Sequence, residues 1–109
     1  MHNFKSLFIS LYLLVCLSIE MEMGDNKEDN ALFSPEWRMG SCFGPRNTYL
    51  FNVTYYERCC LTSGKYTLIC KNTKSKYGWG NAALKINGKQ YCDDFVGFKA
   101  MRTVSIQGN

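Results

Sequence analysis

Histidine is almost absent from this 109-residue chain, and the single one, His2, lies in a segment read below as removable. A mature chain without imidazole can build neither a Ser-His-Asp triad nor a Cys-His dyad. Acids are scarce where the chain is densest. Residues 40–109 hold only Glu57, Asp93 and Asp94. A glycosidase-type carboxylate pair is hard to draw from these, because the two aspartates are sequence neighbours and read as a solvated turn after Cys92. The cysteines lack the paired spacing of a zinc site. Calcium takes roughly six to eight oxygens, of which Asp93, Asp94 and backbone carbonyls supply a weak site at most. Long apolar runs are missing too: the longest, Leu7–Ile19, has 13 residues, against the roughly 20 of a membrane-spanning helix. Together these absences point away from an enzyme, and no catalytic residue, metal site or cofactor is expected.

What is present begins with that apolar run. Lys5 ahead of Leu7–Ile19 has the layout of a secretory signal peptide, residues 1–18, with Cys16 and Ser18 supplying small residues before a cut after Ser18. Such a cut removes Cys16 and leaves five cysteines in an oxidising compartment. Residues 19–39 follow as an acidic tail or propeptide. Six acids against Lys27 give residues 19–36 a net charge of −5, and such a segment is expected to be disordered. Residues 40–109 are then the folded unit, with seven lysines and three arginines against three acids, a net of +7. Seventy residues make a small core that needs staples. Eleven aromatic residues between Phe43 and Phe98 supply bulk for few positions.

Strand signals dominate this unit. Tyr49, Phe51, Val53 and Tyr55 alternate with polar or smaller neighbours and predict a strand. A second strand is predicted over Lys65–Cys70, with Tyr66, Leu68 and Cys70 on one face. Thr62-Ser63-Gly64 reads as the turn that joins the two into a hairpin. Leu84-Lys85-Ile86, Asn87-Gly88 and Lys89-Gln90-Tyr91 predict a two-residue hairpin, since Asn-Gly tolerates the positive φ of a type I′ turn. In that register Ile86 faces Lys89, Leu84 faces Tyr91, and Cys92 points away unless the strand bends. A last strand is predicted over Arg102–Gln107, with Val104 and Ile106 on one side. Asp93–Met101 has room for one helical turn, weakened by Gly97. The fold expected is all-β: a small disulfide-stapled β-sandwich or open barrel.

Lys65-Tyr66-Thr67-Leu68-Ile69-Cys70, then Tyr77-Gly78-Trp79-Gly80-Asn81 and Leu84-Lys85-Ile86, resemble secreted β-sandwich modules that carry Ser-Tyr-Gly-Asp-Gly-Trp-Asn between two strands. The resemblance spans residues 65–92. It implies an extracellular β-sandwich and brings no reaction or ligand with it. This chain has no aspartate in the motif, and Lys74, Ser75 and Lys76 precede the tyrosine.

Cys42, Cys59, Cys60, Cys70 and Cys92 are the disulfide candidates. Cys59 and Cys60 are neighbours, so on a strand they face opposite ways and take different partners. Cys60–Cys70 across the first hairpin is the preferred local bond, with Cys42 or Cys92 left for Cys59. The fifth cysteine makes a disulfide-linked homodimer or another covalent link, or stays as a buried thiol. Asn52-Val53-Thr54 is an N-glycosylation sequon on the polar side of the first strand. Lys71, Lys74 and Lys76 lead into Tyr77 and Trp79 on a glycine-rich loop, a basic–aromatic patch suited to an acidic partner. In the rival reading Trp79 turns into the core and the lysines are merely solvated.

These features point to a secreted, non-enzymatic effector of toxin or defence type that binds an extracellular protein or an anionic membrane surface. Nucleic acid is not an expected partner. The alternative is a structural or adhesive extracellular-matrix protein, cross-linked through its odd cysteine.

Overall fold

The computed structural model describes residues 14–25, 34–72, 78–93 and 95–107. Among them there is no helix, and eight strands form two antiparallel sheets. The first sheet runs in the order β4 (Thr54–Thr62), β1 (Leu14–Glu22), β6 (Ala83–Ile86), β7 (Lys89–Tyr91). The second runs β3 (Cys42–Gly44), β2 (Pro35–Met39), β5 (Gly64–Asn72), β8 (Lys99–Ile106). The chain is therefore a small all-β sandwich stapled by disulfides, as the strand-rich, cysteine-rich sequence predicts.

Two segments assigned to signal and tail are strands of the core. β1 lies inside the first sheet, paired with β4 along its whole length and with β6 over Ile19–Glu22. Its period-two pattern explains why: Leu17, Ile19, Met21 and Met23 are buried, while Ser18 is exposed and Glu20 and Glu22 lie half-buried on the opposite face. The same alternation in β2 buries Trp37 and Met39 and exposes Arg38. Residues 19–39 thus contribute much of the core rather than a disordered tail over their described parts. A cut after Ser18 would fall in the middle of β1. Residues 1–13, the start of the expected signal, lie outside the described residues.

The 49–55 strand is also corrected. Tyr49–Val53 is loop and turn, and the ladder starts only at Thr54. The aromatic alternation arises because Tyr49 and Tyr55 pack on each other, ring centroids 5.0 Å apart, as the loop covers the sandwich edge. Tyr55 also accepts a hydrogen bond from the Leu50 N–H at 2.7 Å. Ser63 does sit at a reversal, yet β4 and β5 belong to different sheets, so the connection is an arch and not a hairpin. The Tyr66 hydroxyl ties the arch by donating to the Thr62 carbonyl at 2.7 Å.

The arch decides the disulfides. The structure pairs Cys16 with Cys60, Cys42 with Cys59 and Cys70 with Cys92. The preferred Cys60–Cys70 bond is overturned, because the two residues stand on strands that do not pair. Cys60 faces its β1 neighbour Cys16, while Cys59 faces β3 and links the two sheets. The two adjacent cysteines do take different partners. No described cysteine is left free.

The Asn87-Gly88 hairpin has the predicted register, Leu84 opposite Tyr91 and Ile86 opposite Lys89. Both turn residues have positive φ, 51° and 83°, as a type I′ turn demands. Cys92 departs from the strand at φ 59°, which turns its sulfur back toward Cys70. The predicted last strand is longer than expected and starts at Lys99. Instead of a helical turn, the described residues before it have no regular structure beyond a single bridge at Gly97.

Beside β3, the Trp37 indole N–H donates to the Tyr49 hydroxyl at 2.9 Å. Gly44 passes against both groups, and a β-carbon there would collide with the Tyr49 Oη and the Trp37 Nε1. Burial pushes the Tyr49 hydroxyl up to about 12, against the opposing effect of the Trp37 hydrogen bond. A raised folded-state pKa contributes stability that is complete below the unfolded value near 10 and is lost as pH rises through the folded value. Stability should therefore fall by roughly 2–3 kcal/mol between about pH 10 and pH 12 from this group. Denaturant melts across that window, with Tyr49→Phe as the reference that lacks the step, check it. Equal pH slopes in both proteins would show that Tyr49 does not carry the effect.

Candidate functional site

The basic–aromatic loop comes apart in the structure. Trp79 is 1% exposed. Its ring meets Phe95 edge-on at 5.7 Å, and its indole N–H donates to the Lys71 carbonyl at 2.7 Å. Trp79 is therefore a core residue and not a contact residue. Lys71 is exposed on β5. Lys74, Lys76 and Tyr77 lie outside the described residues, as does Asp94. Asp93 is exposed. Asn52 is exposed too, in a turn at φ 62° rather than on the polar face of a strand.

What holds the loop's base is Asn72, the one buried polar residue among those described. Its Nδ2 donates to the Gly78 carbonyl at 2.7 Å, its Oδ1 accepts from the Ser34 N–H at 3.1 Å, and its own N–H donates to the Phe98 carbonyl at 2.9 Å. One residue, through its side-chain amide and its backbone N–H, thus ties the entry to β2, the end of β5, and the loops before β6 and β8. Gly78 stands at φ 69°, where a β-carbon would strike the Phe95 carbonyl oxygen. Burying a polar side chain is tolerable only with such partners.

Lys71 belongs to a different surface, the outer face of the second sheet. Period-two alternation puts Lys65, Thr67, Ile69 and Lys71 of β5 on that face, with Lys99, Met101, Thr103 and Ser105 of β8, Arg38 of β2 and Phe43 of β3. Register then sorts them into rows. Phe43, Arg38, Ile69 and Met101 are neighbours across all four strands. Two residues along, Glu36, Lys71 and Lys99 form the next row. Among the described residues Arg38, Lys65, Lys71 and Lys99 make no ion pair. The Arg46 guanidinium sits over the Phe43 ring, 5.5 Å from its centroid.

A groove of about 450 Å³ opens on this face, with Phe43, Pro45, Ile69, Arg38, Lys71 and Glu36 in its lining. A second hollow of about 300 Å³ lies at the opposite end of the sandwich, lined by residues of both sheets that include Leu17, Tyr91 and Ile106.

The outer face of the first sheet differs in character. There Lys85 bonds Glu22 at 3.1 Å and approaches Glu20 at 3.5 Å. The Lys85 hydrogen bond holds the Glu22 carboxyl below its usual range, and the Glu22 hydrogen bond raises Lys85 in turn. These charges satisfy one another, whereas Arg38, Lys65, Lys71 and Lys99 on the second sheet's outer face make no ion pair among the described residues. Among the described residues no cluster of three or more His, Cys, Asp or Glu side chains is placed to hold a metal.

Of the predicted patch, then, only Lys71 is placed on an open surface. Its companions Arg38, Phe43, Ile69, Lys99 and Met101 were missed. The signal for part of them was present: if Tyr66, Leu68 and Cys70 face inward, then Lys65, Thr67, Ile69 and Lys71 must face outward. The neighbours on β2, β3 and β8 depend on strand order, which no local pattern carries. Compared with family profiles, curated proteins and solved structures, the chain has no significant match to any family, protein or fold.

Proposed function

We propose that this protein is a secreted, non-catalytic effector of toxin or defence type that acts by binding a cell-surface protein. The observation that carries the reading is the outer face of the second sheet, where Arg38, Lys71 and Lys99, which make no ion pair among the described residues, lie beside exposed Phe43 and Met101. Aromatic, Met and Arg side chains are enriched at protein interfaces. Cations steer an acidic partner toward them. Three intramolecular disulfides suit an oxidising, extracellular setting. They also hold the face rigid, which lowers the ordering cost of binding. Glycosylation at Asn52 fits the reading, since the residue is exposed in a turn and its backbone N–H bonds the Gly24 carbonyl just past β1 of the other sheet.

Labelled protein added to a panel of intact cells should bind saturably and lose binding when the cells are treated with protease. Binding should weaken from 0.1 M to 1 M salt, as the Debye length drops from about 10 Å to about 3 Å. Binding that survives protease and tracks anionic lipid would replace the protein partner with a membrane surface. The matrix alternative needs an odd cysteine. With Cys16 bonded to Cys60 that thiol exists only in a chain cut after Ser18, so non-reducing electrophoresis of a chain that retains β1 should show a monomer.

A further inference from the structure

We infer that the groove beside Phe43 takes an extended acidic peptide segment, with one apolar side chain seated on the lining formed by Phe43, Pro45 and Ile69 and carboxylates on Arg38, Lys71 and Lys99. The inference rests on the second sheet's outer face being the contact surface and names what that face recognises.

Two features select this partner. The first is the row itself. Phe43, Arg38, Ile69 and Met101 lie side by side in register, with Phe43 and Met101 41% and 57% exposed. Four strands at roughly 4.8 Å spacing make a track about 14 Å long, the length of about four or five extended residues at roughly 3.3 Å each. The second is the groove. About 450 Å³ admits one large side chain with some of its backbone and no folded domain. Its lining is apolar at Phe43, Pro45 and Ile69 and cationic at Arg38 and Lys71. An apolar anchor with acids beside it matches that lining in both respects.

A bilayer fits less well. Side chains stand roughly perpendicular to a sheet. Lysine ammonium groups therefore reach farther out than Ile69 or Met101 and would hold a flat surface away from the apolar row. A peptide lies between the lysine stems and reaches it.

The test uses the full chain with all disulfides formed and a fluorescent nine-residue peptide of Glu and Asp with a central Phe, read by anisotropy. Companion probes are the peptide with central Gly, the peptide with Gln and Asn in place of its acids, phosphatidylserine vesicles, and heparin. The anchored acidic peptide should bind best, and more weakly as salt rises. Lys71→Glu with Lys99→Glu should weaken it about tenfold or more. Phe43→Ala should weaken it about thirtyfold, as for the anchor of an interface. Met101→Ala gives a second apolar variant should Phe43→Ala alter the melt. Tyr56→Ala, on the outer face of the other sheet, should change nothing.

Absence of peptide binding would overturn the inference. So would equal binding of the central-Gly peptide, or indifference to the double lysine reversal. Vesicle or heparin binding that exceeds peptide binding and responds to the same substitutions would assign the face to another chemistry. Cell binding that depends on Lys71 and Lys99 without peptide binding sinks this inference alone. Cell binding indifferent to both lysines sinks the contact surface itself.

Discussion

A chain that starts at Ile19 is expected to lose its cooperative fold, while a chain that starts at Leu14 keeps it. The shorter chain lacks Leu14–Ser18, five of the nine β1 residues paired with β4. It also lacks Leu17, which is 2% exposed, and Cys16, the partner of Cys60. The clip between Ser18 and Asn87 goes as well, a pair of hydrogen bonds at 2.9 Å and 2.8 Å that fasten the β6–β7 turn to β1. Deleting a buried leucine side chain costs about 2–5 kcal/mol. Losing a native disulfide in a small domain costs a similar amount, about 2–5 kcal/mol. Together they approach the whole stability of a domain this size, about 5–14 kcal/mol at roughly 0.05–0.15 kcal/mol per residue. Near-ultraviolet circular dichroism and denaturant melts of the two chains decide the matter, and thiol titration should find Cys60 free in the shorter one. A Leu14 chain carrying Cys16→Ser and Cys60→Ser separates the strand's contribution from the bridge's. If the Ile19 chain melts like the Leu14 chain, the N-terminal half of β1 is dispensable and a cut after Ser18 is compatible with the fold. The same comparison bears on secretion. A signal peptide that leaves the sandwich intact must be cut at or before Leu14, and N-terminal sequencing of secreted protein reads that directly.

Trp79→Ala should be the most damaging single substitution in the loop region, with a loss of about 3–5 kcal/mol and an early melt. The indole fills space against Phe95, and its N–H satisfies the Lys71 carbonyl. Removal leaves a cavity and strips that carbonyl of its partner, two costs that add. Trp79→Phe isolates them, since it keeps most of the ring volume and loses only the donor, and should cost clearly less. Binding by the second sheet's outer face should persist in whatever Trp79→Ala protein remains folded. A loss of stability below about 1 kcal/mol, together with loss of binding, would return Trp79 to the contact surface.

Much of what was legible in the sequence is local chemistry. Asn87-Gly88 set a register that the structure reproduces, because two residues of positive φ admit few turns. The alternation of Lys65–Cys70 marked its inner and outer faces correctly. Adjacent Cys59 and Cys60 had to part ways for the same period-two reason. Errors arose where one pattern has two causes. Leu7–Ile19 has the apolar density of a signal, and its end runs into a strand in which Leu17, Ile19, Met21 and Met23 alternate with Ser18, Glu20 and Glu22, so a cut after Ser18 falls inside β1. The acidic residues counted as a mark of disorder include the solvent side of β1. The Tyr49–Tyr55 alternation records two rings packing on one another and not a ladder.

By itself the sequence determined the class of this protein: an all-β chain with inward and outward faces assigned along several strands, cysteines for cross-links, and a single histidine, His2. Those properties depend on residue types and on spacings of two to four positions, which the backbone reads directly. Only the tertiary structure decided strand order, and with it nearly everything about the site. It placed β1 between β4 and β6, made Ser63 an arch between sheets, and so gave Cys60 to Cys16. It turned Trp79 inward and brought Phe43, Arg38, Ile69 and Met101 from four strands into one row. A turn is chosen by its own few residues. A strand's neighbour is chosen by which apolar faces can be buried together across the whole chain, and that selection has no local signature.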